Sequence, residues 1–173
     1  LNLILENSPL KEWHFEEIVK TAEVTKAVAN KWLKKYIHEG LVIRKKEQGR
    51  FPFFTVGHNN PVYYSWKRVY LLEQLHKSGL MPKLLSLKKT KTIILFGSCS
   101  RGDWYKDSDV DLFVFGDYTN FDKNIYELRL GRRIEMHTFQ NKKEIKKVKT
   151  GLIKNIINGY VIKGQIQDIV EVT

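Results

Sequence analysis

The sequence predicts an α+β chain in two parts, and three observations carry that reading. Residues 1–57 read as short helices followed by a β-rich ribbon, and residues 58–82 read as one amphipathic bridging helix. From residue 83 to residue 173 strands and helices alternate, the pattern of a small mixed sheet with flanking helices. A length of 173 residues allows one ordinary domain or two small ones, and an apolar content of 42% is enough to fill their cores.

In the first part, "HFEEIVKTA" sets Phe15, Ile18, Val19 and Ala22 at helical spacing. A second helix begins at Thr25, a good N-cap, carries Val28, Leu33, Tyr36 and Ile37 on its apolar side and stops at Gly40. "VIRKKEQGRFPFFTV" is two β-rich runs joined by a polar turn at Glu47 to Gly49, which reads as a hairpin. Cations gather here: seven Lys or Arg lie between Lys26 and Lys46 against one acid, Glu39. Lys26, Asn30, Lys31 and Lys34 share the polar face of the second helix.

The order helix, turn, helix, hairpin resembles the winged helix-turn-helix family. That resemblance implies duplex DNA as a partner, with the second helix in the major groove and the hairpin on the backbone. The residues it implies as DNA contacts are Lys26, Asn30, Lys31, Lys34, Lys45, Lys46 and Arg50. A lysine face is also what plain solvation produces, and winged helices serve as protein-docking or dimerisation modules too. In the bridging helix, Tyr63, Trp66, Val69, Tyr70, Leu72 and Leu75 form an aromatic stripe suited to core packing or to a homodimer contact.

In the second part, "KTIILF" reads as a buried strand, followed by a Gly-Ser turn, a short polar helix and a second strand, "DVDLFVFG". A helix from Lys123 to Leu130, a strand "RRIEMHTF" and closing helices complete it, with one amphipathic helix over residues 141–155. In a strand, residues i and i+2 face the same way, so Asp109 and Asp111 project together while Val110, Leu112 and Val114 face the core. Two like charges held that close repel, and a strand tolerates them mainly when a cation lies between them. Oxygen donors of this kind suit Mg²⁺ or Mn²⁺, which bind through a few carboxylates and substrate phosphates. Upstream, Gly97 and Ser98 offer backbone N–H groups and a hydroxyl where a helix begins, a setting that favours an anion.

"GSCSRGDWYKDSDVDL" then resembles the signature of the DNA polymerase beta type nucleotidyltransferase superfamily. The fixed positions are met by Gly97, Ser98, Gly102, Ser108, Asp109, Asp111 and Leu112, and Arg101 before Gly102 resembles its minimal nucleotidyltransferase branch. The likeness covers roughly residues 83–165. It implies Mg²⁺-dependent transfer of a nucleoside monophosphate, AMP from ATP or another NTP, to a hydroxyl. It also implies catalytic and metal-holding roles for Asp109, Asp111 and a third acid, and nucleotide binding by Gly97, Ser98, Arg101, Gly102 and Ser108.

For the third acid, Glu135 alternates with Ile134 and Met136, so it and His137 point away from the core side; the superfamily more often has Asp there. After Phe139 about 34 residues remain, too few for a large domain enclosing a small acceptor, which favours a macromolecular acceptor. Minimal nucleotidyltransferases resembling this one act as antitoxins on a partner toxin, which implies a partner protein as acceptor. The rival reading is a DNA-binding regulator whose second domain only senses nucleotide.

The formal net charge of +11 favours polyanionic partners such as nucleotides or nucleic acid. The single cysteine, Cys99, cannot form an internal disulfide, and no Cys/His cluster has zinc-like spacing, which fits the cytoplasm. Cys99 has no base placed beside it by the sequence and reads as a small buried side chain. No apolar stretch is long enough for a membrane span, and no leader pattern opens the chain.

Overall fold

The computed structural model describes residues 1–169; residues 170–173 of the second expected domain lie outside the described residues. Two compact units divide the chain, Leu1–Tyr70 and the remainder from Leu71. The first contains α1 (Asn2–Glu6), β1 (Trp13–His14), α2 (Phe15–Thr21), α3 (Lys26–His38), β2 (Val42–Lys45) and β3 (Phe53–Val56). The Thr25 hydroxyl accepts from the Val28 N–H and opens α3, as its N-cap chemistry requires. The strands β2 and β3 pair antiparallel, and β1 joins the other edge of β3 with Trp13 opposite Phe54.

On α3 the buried positions are Ala29 and Leu33. Val28 and Ile37, read from the sequence as apolar-side residues, are exposed. A helix packed by one narrow stripe buries i and i+4 and leaves the flanking positions to solvent.

The helix expected over residues 58–82 is two helices, α4 (Pro61–Lys77) and α5 (Leu80–Ser86). Gly79 separates them with φ +83°, a left-handed backbone that ends one helix and starts the next in a new direction. The buried stripe on α4 runs Tyr63, Lys67, Tyr70, Leu71 and Leu75, whereas Trp66 and Val69 of the expected stripe are exposed. The division between the units falls within α4, after Tyr70.

The second unit is built on β4 (Thr90–Phe96), α6 (Gly97–Arg101), β5 (Val110–Gly116), α7 (Lys123–Leu130) and β6 (Ile134–Phe139). It continues through α8 (Lys142–Lys146), α9 (Thr150–Ile157), β7 (Tyr160–Lys163) and a 3-10 turn at Ile166–Asp168. Its mixed sheet has the order β6-β5-β4-β7, with β5 and β6 parallel and the other pairs antiparallel. As central strands, β4 and β5 are covered on both faces, which explains their near-continuous apolar runs.

One face of the sheet packs Ile94, Phe96, Phe113 and Phe115 against Ile145, Ile156 and Ile169. The helix expected over residues 141–155 is thus two, α8 and α9, and the expected closing helices are followed by the edge strand β7. β7 has four residues and is defined by its pairing with β4, so no local periodicity announces it.

Candidate active site

The candidate site lies where β4 ends and β5 begins. β4 runs straight into α6, whose first residue, Gly97, has φ +70°. An added Cβ there would lie 2.0 Å from Asp111 Oδ2, so this carboxylate rests directly on the Gly97 backbone. Opposite it across the ladder, Asp111 pairs with Phe96, the last residue of β4. Asp109 lies just before the strand, which begins at Val110 rather than at Asp109 as the sequence suggested.

The parallel pairing of β5 with β6 brings the expected third acid, Glu135, level with Asp111. Asp111 is the register partner of Glu135, and two steps further on Phe113 is the partner of His137. Glu135 Oε1 lies 3.3 Å from His137 Nε2, and the His137 ring meets Phe96 edge to face at 5.3 Å. The Asp111 carboxyl is pushed above the ordinary carboxylate range, first by burial and then by the charges of Glu135 and Asp109. His137 and Arg101 pull it the other way. Two neighbouring carboxylates therefore act on Asp111 at the strand ends, and Asp111 is itself half-buried.

Oxygen donors of this type fit a hard divalent cation, and the repulsion felt by Asp111 is what such a cation would relieve. Among the described residues no group of three His, Cys, Asp or Glu side chains is gathered closely enough to hold a metal by itself. A cation here would need further oxygen ligands, of the kind substrate phosphates offer.

Other residues marked by the sequence take several roles. Ser98 is half-buried, and its carbonyl accepts from the Gly102 N–H at 2.9 Å, closing α6. Arg101 is exposed and pairs through Nε with Asp103 at 3.1 Å. The Ser108 hydroxyl accepts from the Tyr105 N–H at 3.0 Å and so shapes the loop before β5. Cys99 is buried, donates to the Asp109 carbonyl at 3.1 Å, and has its thiol pushed up to about 12 by burial. At neutral pH it is a thiol, and it holds the backbone of Asp109.

Two further residues hold the segments around the site. Arg132 donates through Nη1 to the carbonyls of Tyr105 at 2.7 Å and Ser108 at 3.2 Å, and its guanidinium lies 4.6 Å from the ring centroid of buried Trp104. It ties the segment before β6 to the loop that delivers Asp109. Arg132→Ala is expected to lower unfolding free energy by about 2 kcal/mol, the scale of hydrogen bonds made by a charged group, as measured by urea denaturation. Glu127 accepts from the Ile134 N–H at 2.8 Å and from Lys123 Nζ at 3.0 Å, fixing the first residue of β6 beside Glu135. The Lys123/Glu127 spacing was visible as an ordinary helical ion pair, but its role at the start of the strand was not.

The sequence model of the family described as nucleotidyltransferase domain matches residues 78–167. The chain belongs to this family, and it is a nucleotidyltransferase. The match spans α5 through β7, with the carboxylate site inside it. Two solved structures are similar. One is a mutant of the toxin-antitoxin MntA-HpeT, at 20% identity and a TM-score of 0.32, over 58% of this chain and 76% of that chain. The other is a toxin-antitoxin with AMP-PNP, at 22% identity and a TM-score of 0.32, with the same coverage. A TM-score of 0.32 is too low for either to bear on this chain's activity. No curated protein matches the sequence. Among the described residues no helix is long and apolar enough to cross a membrane.

The residues marked for DNA contact lie in the first unit and are not equivalent. Lys26 Nζ pairs with Glu16 at 2.7 Å. Arg50 is held by Glu12 at 2.6 Å and Glu47 at 2.7 Å. Asn30, Lys31, Lys34, Lys45 and Lys46 are exposed.

Proposed function

We propose that the second unit transfers AMP from ATP to a hydroxyl of a partner protein. The observation that carries the reading is the Asp111 carboxylate, seated on the Gly97 backbone and raised by burial together with the charges of Glu135 and Asp109. Mg²⁺ or Mn²⁺, entering with the triphosphate and taking ligands from its phosphates as well as from Asp109, Asp111 and Glu135, would neutralise the triphosphate and make the acceptor hydroxyl more acidic. The Ser98 hydroxyl and the backbone N–H groups at Gly97 and Ser98 would hold the β- and γ-phosphates and Arg101 would offset the charge of the leaving pyrophosphate, while Gly102 and Ser108 act by shaping the turn and the loop. In the reaction the acceptor oxygen bonds to the α-phosphorus, the bond from that phosphorus to the bridging oxygen breaks, and pyrophosphate leaves. The hydroxyl proton passes to solvent on the Glu135 side. Glu135 keeps 48% of its side chain exposed, so the acceptor approaches an open face, as suits a macromolecule.

Label from α-³²P-ATP is expected to move to a protein band in extract supplemented with Mg²⁺. Glu135→Gln is expected to lower the transfer rate by about a hundredfold while changing ATP affinity little, since the third acid serves the acceptor side. Stopped turnover assays and equilibrium ATP titration separate the two effects. ATP binding with no label transferred to any macromolecule would make the domain a nucleotide sensor instead.

For the first unit, the order α2, α3, hairpin supports a winged helix-turn-helix, and the exposed cations favour a nucleic acid as its partner. Lys31, Lys34, Lys45 and Lys46 are the phosphate contacts in this reading. Binding is expected to weaken steeply with salt, and Lys31→Ala with Lys34→Ala to flatten that dependence by roughly one log unit per lost contact.

A further inference from the structure

The hairpin that joins β2 to β3 presents an aromatic side chain to solvent and braces it there. Phe51 is 85% exposed, an unusual state for a phenylalanine next to a well-packed strand. Its neighbour Arg50 bonds Glu12 and Glu47 and lies 4.9 Å from the Phe53 ring centroid, so the backbone beside Phe51 is anchored on both sides. The sequence marked Arg50 as a phosphate contact; the geometry makes it the brace and leaves Phe51 as the presented group.

Behind Phe51 opens a cleft of about 620 Å³ lined by Phe15, Phe54, Pro52, Asn30 and Arg44. Its size and its mix of aromatic walls with a few polar groups are in the range of small-molecule sites in general. Glu16 also lines it, already paired with Lys26. Arg44 sits across from Phe54 in the sheet register, and Lys45 and Lys46 continue along the chain from it. Arg44, Lys45 and Lys46 take part in no ion pair among the described residues.

We infer that this cleft takes an unpaired base of single-stranded nucleic acid, stacked by Phe51, with Arg44 of the cleft wall on the adjoining backbone phosphate. The inference rests on the reading of the first unit as a nucleic-acid binder and names its substrate class. Base faces inside a duplex are covered by their neighbours, so an aromatic platform backed by a pocket meets a base face only when the strand is single. Arg44 shares the cleft's face of the sheet with Phe54, so its cation lies where the phosphate of the stacked nucleotide would run. Asn30 offers an amide, donor and acceptor together, to a base edge.

The test is fluorescence anisotropy of the full chain with labelled oligonucleotides of about twelve nucleotides: single-stranded DNA, single-stranded RNA, a duplex, and an abasic single strand. Tighter binding of the single strands than of the duplex is expected, with roughly tenfold loss for the abasic strand and for Phe51→Ala, and none for Phe51→Ala on the duplex. Comparison of the DNA and RNA arms identifies the source. Phe51 is exposed, so an unchanged melting temperature checks that its variant is folded. Salt-dependent binding that ignores both base removal and Phe51→Ala overturns the cleft and leaves the nucleic-acid reading standing. Equal binding of duplex and single strand likewise overturns it. No salt-dependent binding of any of the four removes both readings.

Discussion

Asp111→Asn is expected to abolish nucleotide transfer and, in the same protein, to raise the melting temperature measured in EDTA. The first effect follows from the loss of a carboxylate that substrate-bound cation chemistry needs. A loss of about 4 kcal/mol in transition-state stabilisation corresponds to roughly a thousandfold slower transfer, read by single-turnover assay. The second follows from the sign of the shift. Burial and the neighbouring acids hold the Asp111 carboxyl above its ordinary range, so the folded state binds this proton more tightly than the unfolded chain. Its contribution to stability is therefore fully present below the ordinary carboxylate range and is lost as pH rises through the raised value. At neutral pH the ionised carboxylate opposes folding, and the amide removes that opposition without changing shape. The melting temperature of the wild type in EDTA should fall as pH is raised through the carboxylate range, with a shallower fall in Asp111→Asn. Adding Mg²⁺ should stabilise the wild type more than the variant. A variant that is inactive and also less stable in EDTA at neutral pH would show that Asp111 is a structural acid and not a strained functional one.

That strain was legible in outline from the chain. Asp109 and Asp111 two residues apart in an otherwise apolar run announced a charged strand end, and the i, i+2 rule put them together. Glu135 was offered by the resemblance's third carboxylate and by its alternation; that it lies level with Asp111 rests on the parallel register of β5 with β6, which sequence spacing cannot state. Arg132 is harder still, because its partners are main-chain carbonyls of Tyr105 and Ser108, and carbonyls carry no residue identity. The helix N-cap at Thr25 is a local interaction and was readable. β7 is held by a distant strand, and the break at Gly79 inside a long amphipathic pattern is a change of direction that periodicity alone smooths over. Phe51 belongs by sequence to the second β-rich run, but β3 begins only at Phe53, and the strand's start is fixed by its pairing with β2, so Phe51 falls in the exposed loop.

Gly97→Ala, a single added methyl group, is expected to cost the protein ATP binding as well as stability. Two separate effects meet at this position. The backbone is left-handed at φ +70°, which costs an alanine about 1 kcal/mol relative to glycine. The new Cβ would also fall 2.0 Å from Asp111 Oδ2 and 2.9 Å from its Cγ, so the carboxylate must leave its seat or the turn must open. Asp111 is on a central strand with Leu112 and Phe113 fully buried behind it, so the strand cannot yield and the displacement falls on the carboxylate and the turn at Gly97. Gly131→Ala supplies the control. That glycine ends α7 at φ +62° with nothing within 4 Å of an added Cβ, so its variant carries the backbone strain alone. Gly131→Ala should therefore lose about 1 kcal/mol by urea denaturation and keep wild-type ATP affinity. Gly97→Ala should lose more than that, and its ATP affinity, measured by isothermal titration in Mg²⁺, should fall at least tenfold. Equal losses of stability in the two variants, with ATP affinity intact in both, would mean that the Asp111 carboxylate has room to move and that its seat on Gly97 does not set the geometry of the site.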